Sequence, residues 1–216
     1  HERIDLGDML RDPLRRSLGA DVVYLALSDR IEPVGPMPTL CLTTPIAAQG
    51  GYRRAGDLKR GDLVYTSSGE LVPVLHAVRR TVPARGQFAP VRLRAPYFDL
   101  QQDIIVAPEQ RLMITGSEVE YLFGTEAALV PAGHLVNGVS ATRCEAHLLV
   151  TYAQVVLPRH EAVLAAGSAV ESLYIGRLRR NVADLSASIL ARVPRGDLPE
   201  HARSPHCVLK HFEAVT

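Results

Sequence analysis

Three cysteines, eight histidines and a few closely spaced acids are the side chains of this sequence best able to do chemistry. Cys41, Cys144 and Cys207 are far apart and odd in number, so neither a disulfide framework nor a zinc site follows from them. A lone cysteine among apolar neighbours, as Cys41 is, is usually a small buried hydrophobe. Asp57 and Asp62 could be read as a general acid and base. They lie in DLKRGD, however, where carboxylates cap backbone N–H groups, and turn capping is the expected role. His201, His206 and His211 follow one another at five-residue spacing, which puts no two on one helical or strand face. They read as solvated tail histidines rather than metal ligands. His76, mid-strand in PVLHAV, reads as a face residue. No metal and no cofactor is expected.

The elements that must position these groups are short. Of 216 residues, 47% are apolar, Trp is absent, and 15 Pro and 16 Gly are scattered along the chain. That distribution predicts many short strands joined by turns, with a core large enough for one sizeable domain. A net charge of +1 leaves no electrostatic footprint for nucleic acid or an anionic membrane. No segment approaches the ~20 apolar residues of a spanning helix, and no signal-peptide pattern opens the sequence.

Residues 1–38 read as an arm or the end of an upstream segment. IDLGDMLRDPLRRSL has a helical rhythm broken by Pro13, VVYLALSD is a strand candidate, and IEPVGPMP is a connector. Strands are predicted over Leu40–Thr44, Ile46–Ala48, Leu63–Thr66, Leu71–Val82, Ala89–Ala95, Asp103–Ala107 and Arg111–Thr115. Gln49-Gly50-Gly51, the stretch at Gly61 and Ser67–Glu70 turn the chain, and Pro108 turns it again. Helices are predicted around Pro131–Val136 and over Asn181–Arg192.

Read together, CLTTPIAAQGGYRRAGDLKRGDLVYT (41–66), VAPEQRLMI (106–114) and YAQVVLPRHEAVLAAGSAVESLYIG (152–176) resemble the bacterial Hint domain, the self-processing module shared by inteins and Hedgehog C-terminal regions. The family typically reads C-F-x-x-G-T-x-I-x-T, D-L-x-x-G-D-x-V, S-P-x-H-R-x-L and Y-x-H-L-L-x-D-R-H-E-V-V-L-A-x-G-x-x-E-S. The resemblance covers residues 39–175, with residues 176–216 as a C-terminal helix and tail. It implies a mainly β fold: a compact pseudo-two-fold β module with short helical extensions at both ends. It also implies a bacterial protein, cytoplasmic or part of a secreted multidomain chain.

In that family a Cys, Ser or Thr attacks the carbonyl just before it, and a Thr and a His polarise the scissile amide and protonate its nitrogen. Counting back from Thr43-Thr44-Pro45-Ile46, which occupy the family's G-T-x-I, the nucleophile column falls on Thr39, with Cys41 two residues later. Either Cys41 serves in a shortened strand, or Thr39 has taken the column. Gln110 stands where the family has His, and Gln154 stands where the Y-x-H histidine would be. His160, Glu161, Gly167, Glu171 and Ser172 are retained, and His160 joins Thr39, Cys41 and Gln110 as a candidate site residue. A threonine hydroxyl is a poor nucleophile, and a glutamine amide cannot shuttle a proton near pH 7. The expectation is a Hint-like domain without efficient self-cleavage, kept as a structural or interaction module. Its partners would be its own flanking domains or another protein. The alternative is active cleavage before Cys41 or Thr39 through a thioester or ester. The old pocket is expected to have been repacked with apolar side chains.

Overall fold

A computed structural model describes residues 35–144, 148–202, 206–210 and 213. The helix and strand expected within residues 1–34, and His147 and His211, lie outside the described residues.

The described chain builds two antiparallel-rich sheets and keeps crossing between them. It enters the first sheet with β1 (Leu40–Cys41) and passes at once to the second, which takes β2 (Pro45–Ala48), β3 (Gly51–Arg54), β4 (Leu63–Tyr65) and β5 (Leu71–Pro73). The first sheet then receives β6 (His76–Pro83), β7 (Val91–Leu93) and β8 (Ile104–Val106). β9 (Arg111–Thr115) and β10 (Ala127–Pro131) return to the second, with helix α1 (Ser117–Phe123) between them. β11 (Ala141–Arg143) and β12 (Leu149–Val156) belong to the first sheet, and β13 (Ala162–Ala165) and β14 (Ser168–Glu171) to the second. Helix α2 (Val182–Ala187) follows, and β15 (Cys207–Val208) adds in parallel to β10. The first sheet has the order β11-β7-β8-β1-β12-β6; the second runs β15-β10-β9-β14-β13-β2-β4-β5, with β3 on β2. The fold is mainly β, as the sequence predicts.

Apolar residues on the facing sides close the core: Leu40, Val91 and Val106 from the first sheet, Ile46, Leu112 and Val163 from the second. Turn chemistry behaves as read. Gly61 takes φ +90°, and Asp62 Oδ2 accepts the Lys59 N–H at 2.9 Å. Gly167, in the β13–β14 turn, has φ +97°, and a Cβ there would lie 2.6 Å from the Asp99 carbonyl oxygen. Only glycine fits.

Three local expectations are corrected. The strand predicted over Leu71–Val82 is two strands in different sheets. The break comes at Val74-Leu75, where the Val74 N–H donates to Asp62 O at 2.8 Å and the Leu75 N–H donates to Val156 O at 2.9 Å. Consecutive amides thus face different sheets. The helix expected around Pro131–Val136 is a single 3₁₀ turn, Ala132–Leu135. The helix expected over Asn181–Arg192 stops at Ala187. Its start is capped by Asn181, whose side-chain oxygen accepts from the Ala183 and Asp184 N–H groups. Its end is diverted by Ser188, whose hydroxyl donates to Leu185 O and accepts from the Leu190 N–H.

Candidate functional site

The seam between the sheets brings together residues far apart in sequence. β1 lies between β12 and β8, with Leu40 opposite both Ala153 and Val106. One residue earlier, Thr39 therefore comes level with Gln154 on one side, while its carbonyl oxygen accepts the Ala107 N–H at 2.7 Å on the other. After Val106 the chain turns through Pro108, and the Gln110 N–H closes that turn on Ala107 O at 3.0 Å. β9 then runs beside β14, which places the Glu171 backbone next to Gln110.

Thr39, Gln110 and Gln154 are all buried, at 9%, 1% and 3% exposure. Their side chains form one closed hydrogen-bond network. Gln110 Nε2 donates to Arg111 O (2.8 Å) and Glu171 O (3.2 Å), so its Oε1 must face Thr39. The Thr39 hydroxyl donates to that oxygen at 2.5 Å. Gln154 Nε2 lies within bonding distance of Gln110 Oε1 (3.0 Å), Thr39 Oγ1 (3.2 Å) and Glu171 O (3.0 Å). The orientation of both amides follows from these backbone carbonyls. The expected apolar repacking is thus corrected: these three positions hold hydroxyl and amides that satisfy one another, and burial without such partners would be costly.

The chemistry of the cluster is limited by its members. An alcohol activated for attack must pass its proton to a base, and the amide oxygen facing Thr39 is not basic near neutral pH. One of the two lone pairs of the Thr39 hydroxyl accepts from the Gln154 amide at 3.2 Å. What the cluster can do is fix β1, β9, β12 and β14 to one another at the seam. A cavity of about 330 Å³ adjoins it, walled by Pro38, Thr39, Gln110, Phe88 and Tyr174, with the Arg111–Glu171 ion pair (3.2 Å) also on its lining.

Cys41 sits elsewhere. It is half-buried, opposite Tyr152, and accepts the Thr43 hydroxyl at 3.8 Å. It does not line the Thr39 cavity, and the bond before it belongs to Leu40, which is 1% exposed and flanked by strands on both sides. Tyr152 is buried too, donating its hydroxyl to Phe88 O at 2.9 Å. Burial, reinforced by Cys41 and Cys144 nearby, pushes its phenol well above the ordinary tyrosine range.

His160 also lies outside the cluster. Its side chain is 5% exposed, with Nε2 3.2 Å from Glu171 Oε1 but off the line of a hydrogen bond. It borders a second cavity, also about 330 Å³, which shares Glu171 with the first. Its ring packs on Tyr174 and stacks with His201 at 5.7 Å. His201 corrects the reading of a solvated tail: it is 3% exposed, bonded through both ring nitrogens. His76 opens β6 and its Nε2 reaches Asp197 O at 3.2 Å. No three His, Cys, Asp or Glu side chains are grouped to hold a metal ion among the described residues. No helix among them is long and apolar enough to cross a membrane.

Of the four candidate residues, Thr39 and Gln110 meet, while Cys41 and His160 do not join them. Sequence reading left Gln154 off that short list although it noted the changed column. That column was the available signal, since a position at which a family places an imidazole is often a site position.

A two-sheet β module with a polar cluster where β1 meets the turn before β9 is the class of protein this architecture defines. The family described as Hint domain matches residues 38–177, and the chain belongs to that family. Among solved structures, a bacterial intein-like domain from Clostridium thermocellum is similar at 14% identity and a TM-score of 0.46, over 63% of this chain and 99% of that one. The MchDnaB-1 intein is similar at 17% identity and a TM-score of 0.40, over 62% of this chain and 98% of its own. The gp41-1 intein matches at 12% identity and a TM-score of 0.39, over 63% of this chain and 98% of its own. No curated protein sequence matches significantly.

Proposed function

We propose that this Hint domain does not cut its own backbone efficiently and serves as a structural or interaction module toward its flanking domains or another protein. One observation carries the reading: the Thr39 hydroxyl donates its proton to the Gln110 amide oxygen. The amide at residue 110 cannot take a proton from the attacking hydroxyl, nor deliver one to the leaving nitrogen. Positioned acid–base catalysis contributes on the order of 10²–10⁴ in rate, and its loss leaves a barrier that a neutral alcohol does not cross on a useful timescale. The competing reading is cleavage through an ester at Thr39 or a thioester at Cys41. Of the two, Thr39 is the better placed, since Pro38 and Thr39 line an open cavity whereas the bond before Cys41 lies inside a sheet.

The test is intact-mass measurement of the full chain, residues 1–216, incubated with dithiothreitol or hydroxylamine. Both reagents trap acyl intermediates. The expected outcome is a single uncut species. A fragment beginning at Thr39 or Cys41, abolished by alanine at that residue, would overturn the reading.

A further inference from the structure

We propose that His201 is a pH-sensitive latch that holds the C-terminal segment against the β module and lets go when its ring is protonated. The inference is independent of whether the Thr39 site cleaves anything. The His201 N–H donates to Gly176 O at 2.9 Å, tying the returning chain to the residues after β14. Its ring then makes two further bonds. Nδ1 accepts the Ile175 N–H at 3.3 Å, and Nε2 lies 2.9 Å from Leu157 O.

A backbone N–H can only donate, so Nδ1 must be bare and the proton must sit on Nε2, donated to Leu157 O. This is the neutral ring in one tautomer. Adding a proton to Nδ1 sets two donors against each other inside the protein, and a buried donor without an acceptor is expensive. The ring has no room to escape to water at 3% exposure.

The groups facing His201 come from each element packed on it. The loop after β12 offers the Leu157 carbonyl and the His160 ring, 5.7 Å away and nearly parallel. The chain after β14 offers the Ile175 and Gly176 backbone and the Tyr174 ring at 6.2 Å. On its own segment, Glu200 is taken up by Arg179 and Arg180. Glu171 lies beyond His160 and is paired with Arg111. Burial comes first in holding the His201 ring below the ordinary histidine range; it outweighs the Leu157 carbonyl, which favours the protonated ring, and His160 adds to it.

The sign follows. An unfolded histidine takes up its proton near pH 6.5 and the latched one only at lower pH. The latch is thus fully closed above that value, and its closed-to-open ratio falls about tenfold per pH unit between that value and the lower folded-state midpoint, below which it changes no further. What opens is Leu198, 1% exposed in a cluster with Val78, Val156, Leu173, Ile175, Leu185 and Leu190.

The experiment uses the full chain. Imidazole resonances of His201 are followed by NMR from about pH 8 to about pH 4.5, a span that covers an ordinary histidine midpoint. The expected result is the Nε2–H tautomer at neutral pH and a midpoint below that of a free histidine; an ordinary midpoint or the other tautomer would overturn the latch. Hydrogen exchange at the His201 and Ile175 amides is read in parallel, corrected for intrinsic rates. Wild type should lose about tenfold in protection per pH unit between the midpoint of a free histidine and its own lower midpoint, while His201→Gln should hold constant protection. Glutamine can keep both bonds at every pH, its oxygen accepting from Ile175 and its NH₂ donating to Leu157. Equal loss in both proteins, or none in wild type, would sink the proposal. If the variant fails to fold, the wild-type titration decides alone.

Discussion

Two buried polar clusters sit on either side of Glu171, and they are made of opposite materials. The seam cluster of Thr39, Gln110 and Gln154 contains only a hydroxyl and two amides, all mutually hydrogen-bonded. The latch cluster contains two imidazoles, one bonded through both nitrogens and one bonded through neither. Amides and alcohols keep one protonation state across the biological pH range, whereas imidazoles do not. The seam is therefore indifferent to pH and unsuited to proton transfer. The latch is sensitive to pH, and neither of its imidazoles lines the cavity at Thr39, although Tyr174, packed on His160, does. Titratable side chains sit in the tail cluster, whereas the Thr39–Gln110–Gln154 cluster itself holds none.

The comparison breaks most readily at Gln154. Its NH₂ can donate two bonds among its three neighbouring oxygens, and its Oε1 accepts the Val155 N–H. Replacing it with Leu removes these three bonds at roughly 1 kcal/mol each, so a loss of about 3 kcal/mol is expected in urea unfolding. The loss should be the same at about pH 5 and about pH 8, because no proton is involved. A cost that changes with pH would mean that a titrating group reaches the seam. A cost near zero would mean that the network contributes nothing to holding the sheets together.

A smaller effect separates Thr39 from Cys41, two residues apart on neighbouring backbone. Thr39→Val keeps shape but leaves Gln110 Oε1 one donor short, for about 1–2 kcal/mol. Cys41→Ala, at a half-buried position outside the network, should cost under about 1 kcal/mol. The reverse order would shift the structural centre of β1 to the thiol.

The smallest effect sharpens the tail side. Arg180 first, then Arg179, hold the Glu200 carboxyl down at about 2, against an ordinary value of 4.5. A depressed carboxylate contributes above pH 4.5, and that contribution fades as pH falls toward 2. Glu200 is partly exposed at the surface, so the contribution is small and screened by salt. Glu200→Gln should remove this acid-side slope from the unfolding curve while leaving the His201 transition at higher pH in place. Loss of both together would show that the two tail contacts act as one unit.

Much of the fold was legible because turns are written locally. Gly61, Asp62 and Pro108 each impose a backbone conformation on their own neighbourhood, and the ordered turn and strand motifs carried the Hint resemblance. Individual strand ends were less legible. Leu71–Val82 reads as one extended run, and nothing in it says that Val74 and Leu75 bond to different sheets. Residue type is likewise legible at 39, 110 and 154, where a hydroxyl and two amides stand.

The sequence by itself therefore determined the family and the β character, since these depend on residue identity and short spacing. Only the tertiary structure decided that Thr39, Gln110 and Gln154 satisfy one another rather than being packed over by apolar side chains. It also decided that Cys41 stands apart and that His201 is buried. Those outcomes depend on contacts across separations of 71, 44 and 115 residues within the seam, and on His201 reaching back 44 residues to Leu157. Pairings of that range are fixed by how two sheets meet, which no local stretch of chain encodes.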